Sequence, residues 1–146
     1  MTHPDPDGGG MVRAMRAALA DAGMSPDEID HVNAHATATK PNDTLETAAI
    51  KAVFGEHAPK LAINGIKSMI GHGMGAAGAL EAIACVLALR EGIVPPTIGL
   101  EQPDPECDLD YTPLTARRRA LGAALNNSAG FGGCNASVIF SREATP

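Results

Sequence analysis

Between Gly75 and Leu89 the chain carries a single charged residue, Glu81, in a stretch otherwise made of Ala, Gly, Leu, Ile, Val and Cys. That stretch is too short, and too rich in small residues, to span a membrane, which takes about 20 apolar residues. Within "GHGMGAAGALEAIACVLALREG" nothing else interrupts the apolar run before Arg90. A helix apolar nearly all round has no face suited to water, so the pattern predicts one buried on most sides. Gly75, Ala76, Gly78 and Ala79 remove side-chain bulk and let another backbone approach closely. Hydrophobic residues make up 45% of the 146, yet aromatics only 3%, with no tryptophan. The core must then be built from Ala, Leu, Ile, Val and Met, which suits close packing of helix on sheet, and the length suffices for one domain.

Around that helix the periodicity alternates between helix and strand. In "MVRAMRAALADAG", Met11, Met15, Ala18 and Leu19 recur at helical spacing and Gly23 is a plausible stop. Ser25 and Glu28 have the spacing of a capping box, and a short strand follows at about Asp30 to Ala34. "NDTLETAAIKAVFG" places Leu45, Ala49, Ala52 and Val53 on one helix face, with Gly55 at its end, and "KLAINGIK" reads as the next strand. After the apolar helix, "IVPPTIGLEQPDPECDLDYTPL" carries five prolines and reads as a long surface connection, a kind often functional or interfacial. "ALGAALNNSAGFGGCNASVIF" reads as two strands around a glycine-rich turn. The order α, β, α, β, α, β-hairpin predicts an α/β layered domain, with helices on the faces of a mixed sheet and a C-terminal β-hairpin.

Charge and cysteine content narrow the function classes. The net charge is −6, and the one basic run, Arg117-Arg118-Arg119, is short, which argues against nucleic acid as a partner. That run is expected in a solvated loop, with a docking patch for an acidic carrier as the alternative. Cys85, Cys107 and Cys134 show no paired spacing, and "MTHPDPDGGG" lacks the charged and apolar regions of a secretory signal. Both point to a reducing compartment, the cytoplasm. The same opening stretch reads as a loop and suggests a piece of a longer protein.

Three stretches fall where an α/β sheet exposes its loops, just past the carboxyl ends of strands: His35 to Glu46, Lys67 to His72, and Asn127 to Asn135. His35 follows its strand directly. His72 is expected at the start of the apolar helix, whose positive end disfavours a charged imidazole. A neutral imidazole still donates one N–H, so two aimed at one point form a clamp for a carbonyl or a developing enolate. Lys67, in apolar surroundings, needs a carboxylate if buried; Asp43 and Glu46 are the candidates, although both also fit a helix cap. "GFGG", residues 130–133, offers tight turns and free N–H groups. A zinc site from His35, His72, Cys107 and Cys134 lacks the usual ligand spacing, and no metal or other cofactor is expected.

Taken together, "PDPDGGGMVRAMRAALADAGMSPDEIDHVNAHATATKPNDTLE", "KSMIGHGMGAAGALEA" and "NNSAGFGGCNASVIF" resemble, in order and spacing, the C-terminal half of the β-ketoacyl synthases, condensing enzymes of the thiolase-like superfamily. The pattern is most similar to the elongating synthases of dissociated fatty-acid and type II polyketide systems. "GCNASVIF" lacks the His-Val pair expected in many modular polyketide synthases. The resemblance implies that residues 1–146 are a ketosynthase C-terminal domain, one of two similar α/β halves. His35 matches the first histidine of the H-G-T-x-T motif and His72 the second, in K-S-x-x-G-H; in the family the two bind the malonyl thioester carbonyl during decarboxylation to an enolate. Lys67 matches the family lysine and Glu46 the carboxylate pairing near it. Phe131 matches a phenylalanine that gates the acyl pocket, with its N–H in the oxyanion hole. Thr37 and Thr39, the threonines of the first motif, are implied as substrate-binding.

Two positions depart from the pattern. Ala36 stands where the family usually has glycine, and Asn64-Gly65-Ile66 where a Ser/Thr-rich segment is expected. The family's nucleophilic cysteine belongs to the N-terminal half, and none of the three cysteines here occupies a matching motif. The resemblance therefore implies a catalytic half that is inactive alone. Its implied partners are an acyl carrier protein bearing phosphopantetheine thioesters and the N-terminal half, with a homo- or heterodimer as the complete enzyme. A non-catalytic partner subunit of the chain-length-factor kind is the alternative.

Overall fold

A computed structural model describes residues 8–142; the loop expected at the start of the chain lies largely outside them. The elements run α1 (Gly9–Ala22), β1 (His31–Asn33), α2 (Lys40–Phe54), β2 (Ala62–Asn64), a four-residue α3 (Lys67–Ile70), α4 (Ala77–Glu91), β3 (Ile93–Val94), β4 (Arg117–Arg118), β5 (Ala123–Ala129) and β6 (Asn135–Ser141). One sheet has the order β2-β1-β5-β6. β1 is parallel to both β2 and β5, while β5 and β6 form an antiparallel hairpin from Ala123↔Ser141 to Ala129↔Asn135. The sheet is mixed, with helices on both faces and a C-terminal β-hairpin: the expected α/β layered arrangement.

The two-residue period of strands sorts the core. Val32, Ile63 and Leu125 are in register and pack with Met11, Met15 and Leu19 of α1 and Ile50 and Phe54 of α2. One residue earlier, His31, Ala62 and Ala124 are in register. Ala62 and Ala124 pack with Cys85, Ala88 and Leu89 of α4. Small side chains on both sides of that second contact let α4 lie close to the sheet.

Three expectations change. The apolar helix begins at Ala77, not near His72: Gly71 (φ 75) and a left-handed Met74 (φ 51) break it, and only a short 3-10 turn, Met74–Ala76, precedes it. Nor is α4 buried on most sides among the described residues. Ala77, Glu81, Ala84, Cys85 and Ala88 face inward, whereas Leu80, Ile83, Val86 and Leu87 are 41–58% exposed. Finally, the basic run is solvated as expected but is part of a short strand rather than a loop. Arg117 and Arg118 pair antiparallel with β3, Arg117 forms an ion pair with Asp110, and Arg119 donates to the Lys60 carbonyl at 2.7 Å. The Ser25–Glu28 box is present around a 3-10 turn, the Ser25 N–H donating to Glu28 at 2.8 Å. No helix among the described residues is long and apolar enough to cross a membrane.

Candidate active site

The loops after β1 and β2 and the β5–β6 turn converge at one end of the sheet. Parallel pairing of β1 with β2 puts His35 and Lys67, each a few residues past its strand, side by side. The Lys67 ammonium donates to the His35 carbonyl at 2.6 Å and forms a buried ion pair with Glu81 of α4. It also lies 3.4 Å from His35 Nδ1. An ammonium has no acceptor lone pair, so Nδ1 is the acceptor and the neutral ring carries its proton on Nε2. Burial above all, then the Lys67 and His72 charges, pushes the His35 pKa down to about 4. His35 is thus a neutral imidazole at pH 7, its Nε2–H uncommitted to any described group.

His72 is held by a different contact. In place of a helix N-terminus, the Met74 backbone N–H donates to its Nδ1 at 3.1 Å, which again leaves the proton on Nε2. The rings meet edge to face, centroids 5.7 Å apart and planes at 87°. Both line a cleft of about 310 Å³, with Gly78, Ser128, Ala129 and Cys134 among its walls.

Glu46 is not the partner of Lys67, which Glu81 takes. Its carboxylate points at the backbone of the His35 loop and accepts the His35 N–H at 2.7 Å and the Ala36 N–H at 2.9 Å. It also accepts from the Asn127 amide at 2.7 Å, whose own carbonyl oxygen accepts from Ser137 at 2.9 Å. Burial raises the Glu46 pKa while these donors pull it down. Asp43 does not pair with Lys67 either: it sits in the first turn of α2, whose N-cap is Thr39.

The remaining expected residues divide. Phe131 stands 77% exposed at the tip of the hairpin. The hydroxyls of Thr37 and Thr39 bond each other at 3.1 Å, and Thr39 lines a second cavity of about 300 Å³, behind the His35 loop, with Gly65, Leu100, Cys107 and Tyr111. Cys107 is therefore apart from the histidine cleft. Burial, then Glu81, pushes the Cys85 thiol up to about 12, and burial raises Cys107 too; neither suits a nucleophile. Glu81 and Ser137 lie outside the three stretches that the sequence singles out, and Asn127 is the first residue of the third. Glu81 had a signal, since a lone carboxylate inside an apolar helix needs a cation.

Residues 1–101 match the family described as β-ketoacyl synthase, C-terminal domain. The chain is 50% identical over 142 residues to the 3-oxoacyl-[acyl-carrier-protein] synthase 2 of Coxiella burnetii (strain RSA 493 / Nine Mile phase I), covering 97% of this chain and 34% of that protein. It spans about a third of the length of the curated relatives it matches. Among solved structures, the ishigamide ketosynthase/chain length factor is 44% identical with a TM-score of 0.92, covering 98% of this chain and 34% of that one. A type II PKS acyl-carrier protein in complex with its ketosynthase bound to the hexaketide is 42% identical with a TM-score of 0.93, covering 99% and 35%.

Proposed function

This chain belongs to the β-ketoacyl synthase family as its C-terminal domain, and from that premise we propose that it supplies the malonyl-activating half of a 3-oxoacyl-[acyl-carrier-protein] synthase in fatty-acid or polyketide biosynthesis. The complete enzyme joins an acyl group to a malonyl carrier thioester in a decarboxylative Claisen condensation. The nucleophilic cysteine comes from sequence outside this chain, an acyl carrier protein delivers both thioesters, and the reaction belongs to the cytoplasm. The chain alone does not condense.

One observation carries the reading: the His35 and His72 rings meet edge to face in one cleft, each with Nδ1 taken up by a donor, which leaves Nε2 as the nitrogen that donates. As the malonyl carbon–carbon bond breaks and carbon dioxide leaves, its electron pair passes into the thioester enolate and negative charge builds on the oxygen. Donors fixed beforehand at that oxygen stabilise the transition state more than the ground state. Lys67 holds the His35 tautomer and Glu46 holds its backbone. A non-catalytic, chain-length-factor-like subunit has no need of this arrangement, although one structural neighbour contains such a partner.

The test uses His35→Ala and His72→Ala in enzyme completed with a nucleophile-bearing half, assaying acyl loading and malonyl decarboxylation separately. Removing one donor is expected to cost about 3 kcal/mol, roughly a hundredfold or more in decarboxylation, with loading much less affected. Decarboxylation near wild type in both variants contradicts the reading.

A further inference from the structure

Ala36 and Gly65 each hold the residue that local backbone chemistry would assign to the other. Ala36 has φ 39, in the left-handed region, where a side chain is strained and glycine is at ease. Gly65 lies outside that region, so its own backbone would accept a side chain. What excludes one is space: a Cβ built on Gly65 would lie 2.7 Å from the Ala36 methyl, well inside the 3.5–4.0 Å optimum for carbon–carbon contact. Each anomaly accounts for the other.

We propose that Ala36 and Gly65 are a matched steric pair that positions the His35 loop, the Ala36 methyl seating against bare backbone at Gly65 and holding the strained turn in place. Ala36 is the residue next to His35, and its N–H shares the Glu46 carboxylate with that of His35. Gly65 is anchored in turn, its N–H donating to Thr97 Oγ1 at 3.0 Å, and the Thr97 hydroxyl donates to the Tyr111 carbonyl at 2.7 Å. The contact thus joins the His35 loop to the proline-rich connection. Both residues also line the cavity behind that loop, so a change at either alters its wall. The two departures from the family pattern are then one departure: a methyl added at 36 is accommodated by bulk removed at 65. The catalytic consequence rests on the proposed role of His35; the pairing itself does not.

Four versions of the full chain decide it: wild type, Ala36→Gly, Gly65→Ala and the double variant. Gly65→Ala alone is expected to lower the melting temperature by roughly 5 °C or more, and by less than about 2 °C in the Ala36→Gly background. An equal loss in both backgrounds overturns the pairing. If Gly65→Ala gives no folded protein, recovery in the double variant supports the pair, and a double variant that also fails to fold overturns it. Positioning is read separately from the His35 ring Cε1–H resonance well below melting. It should move in Gly65→Ala and return in the double variant; a resonance that stays put in folded Gly65→Ala overturns the positioning role. In completed enzyme, the decarboxylation kcat should follow that resonance with KM little changed. If no version decarboxylates, wild type included, the functional reading of His35 fails, while the melting and resonance data still judge the pair.

Discussion

The two faces of the sheet solve different problems. Toward α1 and α2, large side chains such as Met15, Ile50 and Leu125 are fully buried in a continuous apolar layer. Toward α4 the layer is thin, built from Ala62, Ala124, Cys85 and Ala88, and it gives way near the site to a buried ion pair, Lys67–Glu81. Asn33 donates to Asn126 across the strands at 2.8 Å on this side. The outer face of α4 is apolar and open. The first face holds the domain together, whereas the second spends stability on keeping charged and polar groups in fixed places. Loops set on one rigid sheet end can use that placement because the opposite face supplies the cohesion.

The contrast is sharpest for charge. Lys67→Met leaves the Glu81 carboxylate buried without its cation and should cost about 3–5 kcal/mol. Adding Glu81→Leu should restore most of that, because replacing both partners by apolar groups removes the desolvation penalty. Denaturant unfolding of the three proteins measures both numbers; a double variant no better than the single one would place the cost in packing instead. Ile50→Ala, on the closed face, should cost about 2–5 kcal/mol through lost burial and an unfilled cavity. Ile83→Ala, on the open face of α4, should stay within about 0.5 kcal/mol. The same exposed patch should make the chain self-associate, so Ile83→Glu should lower its sedimentation coefficient at high concentration. A dilution-stable monomer in the unmutated chain would remove this last expectation.

Acid provides an intermediate effect. His31, buried on the α4 side with Nδ1 against the Ala62 carbonyl at 2.8 Å, is pushed by burial from 6.5 to about 4, against the raising effect of that bond. Folded His31 and His35 stay neutral where the unfolded residues protonate, so unfolding takes up protons between pH 6.5 and 4. Stability is fully present above pH 6.5 and falls as pH drops toward 4, by about 3 kcal/mol for His31 alone. Glu46, raised by burial, works the other way above its usual 4.5 and offsets up to one proton. The net uptake should be about one to two protons; stability flat across this window would mean the imidazoles are not buried as described.

Much of the frame is legible in the sequence because its signals are local. The strand before His35, the hairpin around "GFGG" and the amphipathic stripe of α1 all follow from residues a few positions apart. The partner of Lys67 is not local. Glu81, Asp43 and Glu46 all lie on other elements than Lys67, and spacing does not say which of them the fold brings to it; Glu81 does so, while Glu46 serves the backbone. The start of α4 was misread because its apolar pattern runs on through Gly71–Gly75, where left-handed backbone at Met74, invisible to periodicity, breaks the helix. The exposure of α4 was likewise beyond hydropathy, which records that a surface is apolar and not whether anything covers it.

The central claim is that His35 and His72, each with Nδ1 taken up by a donor, present Nε2–H groups to one cleft. Imidazole ¹⁵N shifts of His35 and His72 at pH 7 test it directly. Both rings should show a protonated Nε2 and an unprotonated, hydrogen-bonded Nδ1. An imidazolium, or a proton on Nδ1, in either ring would contradict the account.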